Sequence, residues 1–171
     1  MREWVPVSTS PKGRLALTAV RAFGTQPFDE VTVGDLAAKA AVTTGALYHH
    51  FGSKLGLYVF VRRDVERRLL DRMEGAASAT SPRSAAIGAA LLVGFDFVVR
   101  QDIQRLLGEP PTGTGGDALV DFLTELCHPA PPPIGRVIAA GWRAAVLSVA
   151  EGIPVEQARN ALIAVEVRLD R

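Results

Sequence analysis

The chain has 171 residues, a hydrophobic fraction of 48%, a charged fraction of 22% and a formal net charge of +1, the values of a globular protein with one medium domain or a small domain fused to a larger one. The single cysteine, Cys127, excludes an internal disulfide framework. The longest apolar run, around 85–99, is broken by Gly94 and Asp96 and falls short of the ~20 residues of a membrane span. There is no charged, apolar, small-residue signal pattern at the start, so a cytoplasmic protein with no membrane partner is expected. Charge is uneven: up to Thr80 there are 11 Lys/Arg against 8 Asp/Glu, and from Ser81 onward 8 against 10. That fits a basic front and a neutral rear.

Residues 1–9 have no clear periodicity and read as an arm. Ser10-Pro11 is a helix start, because Ser can accept a first-turn N–H and Pro loses no bond at the first position. Leu15, Ala19, Ala22 and Phe23 share one face, and Gly24 and Pro27 end the helix. Thr32 to Asp35 is a T-x-x-D capping box opening a second helix, with Val33, Leu36, Ala37 and Ala40 inward. Ala41-Val42 is a tight turn. Thr43 caps a third helix running to about Phe51, with Leu47 and Phe51 inward. Gly52-Ser53 breaks it and caps a fourth.

The fourth helix is expected over about 54–74. Leu57, Val61, Val65 and Leu69 form its apolar line. Arg62, Arg63, Arg67, Arg68 and Arg72 alternate with acids, the pattern of a solvated face laced with local ion pairs. The run 75–81, GAASATS, reads as a small-residue linker. The expected domains are therefore 1–53, a connecting helix over 54–74, and 75–171.

Ser81-Pro82 repeats the first start signal. The fifth helix, to about Gln101, is apolar nearly all round and so central and buried. A short helix from Asp102 to Leu107, a loop at 110–116, a helix from Asp117 to Cys127 and a stiff break at 129–133 follow. The last two helices are expected over 134–151 and from Pro154 to about Leu169. Their apolar and small surface exceeds what one subunit needs, and predicts half of a four-helix dimer interface. No strand pattern, phosphate loop or metal-ligand cluster stands out. The fold class is all-α, with about nine helices.

The stretch TVGDLAAKAAVTTGALYHHFGSKLGLY, residues 32–58, resembles the DNA-binding signature of TetR-type (tetracycline-repressor-like) bacterial transcription regulators. The resemblance covers roughly Leu15 to Tyr58, and beyond it only helix order and lengths agree. Two residues depart from the pattern: Ala41 replaces the usual Gly of the turn, where φ > 0 strains a residue with a Cβ, and His49 replaces a second aromatic.

A helix-turn-helix lays the start of its second helix against base edges in the major groove. Here those residues are Thr43, Thr44, Gly45 and Ala46. Tyr48, His49, Thr32 and Lys54 are placed for phosphate or sugar, which fix register. The resemblance implies a homodimeric, ligand-responsive repressor on a palindromic double-stranded operator, with no cofactor and no enzymatic role. The ligand would be small and hydrophobic or amphipathic, in a pocket with a few placed polar groups. Leu91, Phe95, Asp96, Phe122 and Trp142 are the candidate lining, with Asp96 and Arg100 alternatively a local ion pair. Two rival readings are regulation through a protein partner without a ligand, and a small helical enzyme built on Cys127 and His128.

Overall fold

The structure is a computed structural model, and it describes residues 9–112 and 116–165. Among these are nine α-helices and one 3-10 turn: α1 Pro11–Thr25, the turn Phe28–Glu30, α2 Val33–Lys39, α3 Thr44–Phe51, α4 Lys54–Ser78, α5 Arg83–Arg100, α6 Gln104–Gly108, α7 Ala118–Leu126, α8 Pro133–Ala150 and α9 Val155–Ala164. The all-α expectation holds. Residues 1–8, where most of the expected arm falls, lie outside the described residues, as does the end of the last expected helix, 166–169.

The start signals act as read. Ser10 Oγ accepts from Gly13 N at 3.0 Å, Thr43 Oγ1 from Ala46 N at 3.2 Å, and Ser53 Oγ from Gly56 N at 2.9 Å. Each satisfies a first-turn N–H that the helix itself leaves unpaired. Thr32 both accepts from Asp35 N at 3.1 Å and donates to Asp35 Oδ2 at 2.7 Å, closing the capping box. The second start signal behaves differently: Pro82, with no side-chain hydrogen bond, is the N-cap of α5.

Two expectations change. α4 runs on to Ser78 through the expected linker. Ala76 and Ala77 are strong helix formers, and Ala77 is buried against the core. α6 begins at Gln104 rather than Asp102, because Asp102 sits at φ 55 and cannot continue a right-handed helix.

α1, α2 and α3 form a small bundle on the N-terminal half of α4. Its aromatic floor is Phe23, Phe28 and Tyr58, with Phe23 edge-on to Tyr58 at 5.1 Å and stacked on Phe28 at 5.7 Å. The C-terminal half of α4 packs closely along α5. A Cβ added at Gly94 would stand 3.0 Å from Met73 Sδ and 3.1 Å from Leu69 Cδ1, so the missing side chain sets the spacing of the two helices. Phe95 and Trp142, both 0% exposed, centre the second domain. The indole N–H of Trp142 donates to Leu91 O at 3.0 Å, which leaves it no buried unpaired donor.

The α4 arginines do not share one environment. Arg62 is 4% exposed. It donates to Tyr58 Oη at 3.1 Å, to Leu106 O, and to Glu109 O at 2.9 Å. It therefore caps the end of α6 instead of facing solvent. Arg67 and Arg68 pair with Asp64 on the surface, as the charge pattern predicts.

Candidate nucleic-acid interface

The corner between α2 and α3 is a left-handed turn: Ala41 has φ 52. A Cβ there costs free energy that a glycine avoids. Arg14 on α1 holds the corner from below. Its guanidinium donates to Ala40 O at 2.9 Å, Ala41 O at 3.3 Å and Thr9 O at 2.8 Å. Behind the corner, Leu36, Ala37, Ala40 and Leu47 are buried and Val42 is half-buried. α3 ends at Gly52, whose φ of 74 makes it a left-handed cap.

This frame presents one polar face. Thr43, Thr44, Gly45, Tyr48 and His49 are exposed, Ala46 is half-buried, and Thr32 is exposed at the start of α2. Tyr48 is 54% exposed, a large side chain that the protein's own core does not use. Gly45 would meet only Thr43 Oγ1, at 3.7 Å, if a Cβ were added, so its use there is not a packing need. The rings of His49 and His50 stand 5.0 Å apart and edge-on. No cluster able to hold a metal occurs among the described residues.

Lys54 is more committed than its sequence position suggests. Its ammonium donates to Phe28 O and Val31 O, both at 2.9 Å, and lies 4.2 Å over the Phe28 ring. It ties the α1–α2 connector to the start of α4 and keeps one of three N–H donors for anything else.

The five candidate ligand residues do not form one wall. Leu91, Phe95 and Trp142 are packed core. Phe122 is half-buried on α7. Asp96 turns to α9, where Arg159 Nε donates to it at 3.1 Å, while Arg100 stands at 3.9 Å. The local pair is thus the weaker of two contacts.

Cys127 and His128 are not a reactive couple, since the thiol is fully buried and the imidazole exposed. Burial pushes the Cys127 thiol up, and Arg83 offsets this only in part. That is the opposite of an activated nucleophile.

Sequence reasoning missed a polar cluster inside the second domain. Arg143 of α8, 8% exposed, grips Asp117 with two bonds of 2.6 and 2.8 Å. Burial raises Asp117, but this bidentate pair outweighs it and leaves the carboxyl below its usual value. Glu66 on α4 faces the same group. Burial raises its pKa, and the nearby Arg62 only partly opposes that. An Asp that caps a helix and an Arg one helix away carry no local signal of pairing.

The arrangement defines a class: a small all-α protein with an N-terminal helix-turn-helix and a separate helical domain sharing one long helix. Residues 17–59 match the family described as "Bacterial regulatory proteins, tetR family". The HTH-type transcriptional activator FasR of Mycolicibacterium smegmatis is 30% identical over 123 residues, which span 70% of this chain and 56% of that protein. A TetR-family regulator of Pectobacterium atrosepticum superposes with a TM-score of 0.68 at 22% identity, over 91% of this chain and 90% of that one. AibR, solved in complex with isovaleryl coenzyme A and operator DNA, superposes with a TM-score of 0.67 at 18% identity, over 91% and 97%. The N-terminal domain belongs to the tetR family, and the described chain has that family's fold.

Proposed function

We propose that the chain is a DNA-binding transcriptional regulator that acts as a ligand-responsive homodimer on a palindromic operator. The observation that carries this is the exposed face of α3. Two threonines, a glycine and an aromatic stand clear of solvent-excluding neighbours on a turn fixed from beneath by Arg14. Thr43, Thr44, Gly45 and Ala46 are the base-facing residues of the reading, and Tyr48, His49 and Thr32 its phosphate contacts. Lys54 contributes through the one donor it has left and through the helix start it occupies.

Dimerisation through α8 and α9 is supported by apolar surface that the single chain leaves uncovered. Val137 is 65% exposed and Ile163 49%, with Gly141 and Ala144 between them open for close approach. Two chains joined there would present two α3 helices about one helical turn of DNA apart. The sign we infer is repression by occupancy of promoter DNA. FasR is described as an activator, so a promoter–reporter fusion with and without the chain decides between them.

The test is a gel shift on genomic fragments flanking the gene, at fixed salt because phosphate contacts dominate raw affinity. One fragment should bind well above random DNA, and Thr44→Ala should lower that preference by ~1–3 kcal/mol while leaving random-DNA affinity nearly unchanged. Equal binding to all fragments refutes the operator reading.

A further inference from the structure

We infer that the effector site of this chain is the cleft between α1, α4 and the end of α5, and that it takes a small amphipathic carboxylate. The cleft has a volume of about 290 Å³, at the lower edge of the ~300–1,000 Å³ of small-molecule sites. Its floor is apolar: Leu17 and Val20 from α1, Val61 and Val65 from α4, Phe97 from α5, and Ile103 beyond it. Its rim is polar, with Asp64, Arg68, Arg72 and Gln101. An apolar slot with a few charged groups at one edge suits a molecule with a hydrocarbon body and a charged end.

The charge at that edge selects an anion. Asp64 is occupied by Arg67 at 2.9 Å and Arg68 at 2.8 Å. The Arg72 guanidinium lies over the Phe97 ring, 4.4 Å from its centroid, and donates to Arg68 O at 3.1 Å. Among the described residues no carboxylate pairs with Arg72. Its remaining planar N–H fork matches a carboxylate in two-point geometry. Past Phe97 the trough continues along Asp96 and Arg100, with Arg159 against Asp96. Along the cleft and this trough Arg68, Arg72 and Arg100 thus stand against Asp64 and Asp96, an excess of one positive charge that favours an anion.

The cleft lies where a ligand can do regulatory work. One wall, α1, belongs to the DNA-binding domain and the opposite wall to the helical domain. At the far end of α1 the joint is tight: a Cβ added at Gly24 would stand 2.5 Å from Asp102 O. A molecule seated between Val20 and Phe97 would therefore set the angle of α1 about the Gly24 contact, and with it the aim of α3. Its effect on operator affinity follows from any difference in affinity for the two angles. This regulatory consequence rests on the DNA-binding reading, whereas the site itself does not.

The test is calorimetric titration of the full chain, without DNA, using octanoate, octan-1-ol and octylamine. Octanoate should bind about tenfold or more tightly than octan-1-ol, with octylamine weaker still. Arg72→Gln should bring octanoate down to the level of the alcohol. Val20→Trp, which fills the slot, should abolish binding with helical content unchanged, and Leu17→Gln on the same wall serves if the tryptophan variant fails to fold. Three equal affinities, absence of any octanoate heat, or octanoate binding untouched in both the Arg72 and the wall variants overturns the assignment. A gel shift with octanoate then separates the two readings. A chain that binds octanoate but no operator loses the regulator reading alone, and one that binds operator but not octanoate loses only this site.

Discussion

The Nε–H of Arg14 donates to the carbonyl of Ala40 at 2.9 Å, joining the first helix to the corner of the helix-turn-helix across 26 residues of sequence. The same guanidinium reaches Ala41 O and Thr9 O. Charge-assisted bonds of this kind contribute ~1.5–3 kcal/mol each when well shielded, and less at a half-exposed site. Arg14→Met should cost about 1–2 kcal/mol in urea unfolding and weaken operator binding further by loosening the aim of α3. Arg14→Lys should recover only part of this, because an ammonium cannot span three acceptors set by a planar fork. Wild-type stability in Arg14→Met would show that the corner holds itself.

Ala41→Gly should stabilise the domain. The left-handed conformation costs an L-residue about 1–2 kcal/mol, and glycine returns about 0.5–1 kcal/mol of that through the freedom of the unfolded chain. The expected net gain is about 0.5–1 kcal/mol, read as a higher thermal midpoint. A loss of stability would mean that the methyl group packs usefully at the corner.

Gly141→Arg should separate the proposed α8–α9 dimer and leave the monomer folded. Nothing lies within 4 Å of a Cβ added at Gly141, so the single chain has room for the change. A guanidinium buried between two copies would lack a partner, a strongly destabilising arrangement. Light scattering should show a monomer with wild-type circular dichroism. A dimer of unchanged mass places the interface elsewhere.

The pair Asp117 and Glu66 should give opposite pH behaviour. Asp117 has its folded pKa held down by Arg143, so its contribution is present above the ordinary carboxyl value of 3.8 and is lost as pH falls through the folded value. Glu66 has its folded pKa raised by burial from 4.5. Its contribution is full below 4.5 and is lost as pH rises through the raised value. At neutral pH, Asp117→Asn should therefore destabilise the chain by ~2 kcal/mol by leaving Arg143 half-paired, and Glu66→Gln should stabilise it. Both differences should shrink in unfolding curves taken near pH 3.5. Parallel pH profiles for the two variants would refute the assignment.

The sequence was most informative where the physics is local. Capping hydroxyls at Ser10, Thr32, Thr43 and Ser53 act within three residues of their own positions, so the starts of α1 to α4 could be placed from spacing alone. The positive φ at Ala41 was legible only through the family resemblance, which usually has a glycine at that place in the turn. The exposed face of α3 followed from the same local frame, with Leu36, Ala37 and Leu47 facing inward by period. Local spacing failed where small residues carry no direction: GAAS reads as linker, yet it continues α4 because Ala77 finds a core to pack on.

What the tertiary structure alone decided is which charges are buried and with whom. Arg62 and Arg72 lie on the same helix in the same alternating pattern, yet one is enclosed under the end of α6 and the other lies on Phe97 over an open cleft. Lys54 looks like a free cation until the Phe28 and Val31 carbonyls come into reach. Asp96 looks like the partner of Arg100 until α9 brings Arg159 closer. Helix periodicity reports the face on which a side chain stands, within one turn of its own backbone. Its burial and its partner are set by what the fold brings opposite that face, often from more than forty positions away in the chain.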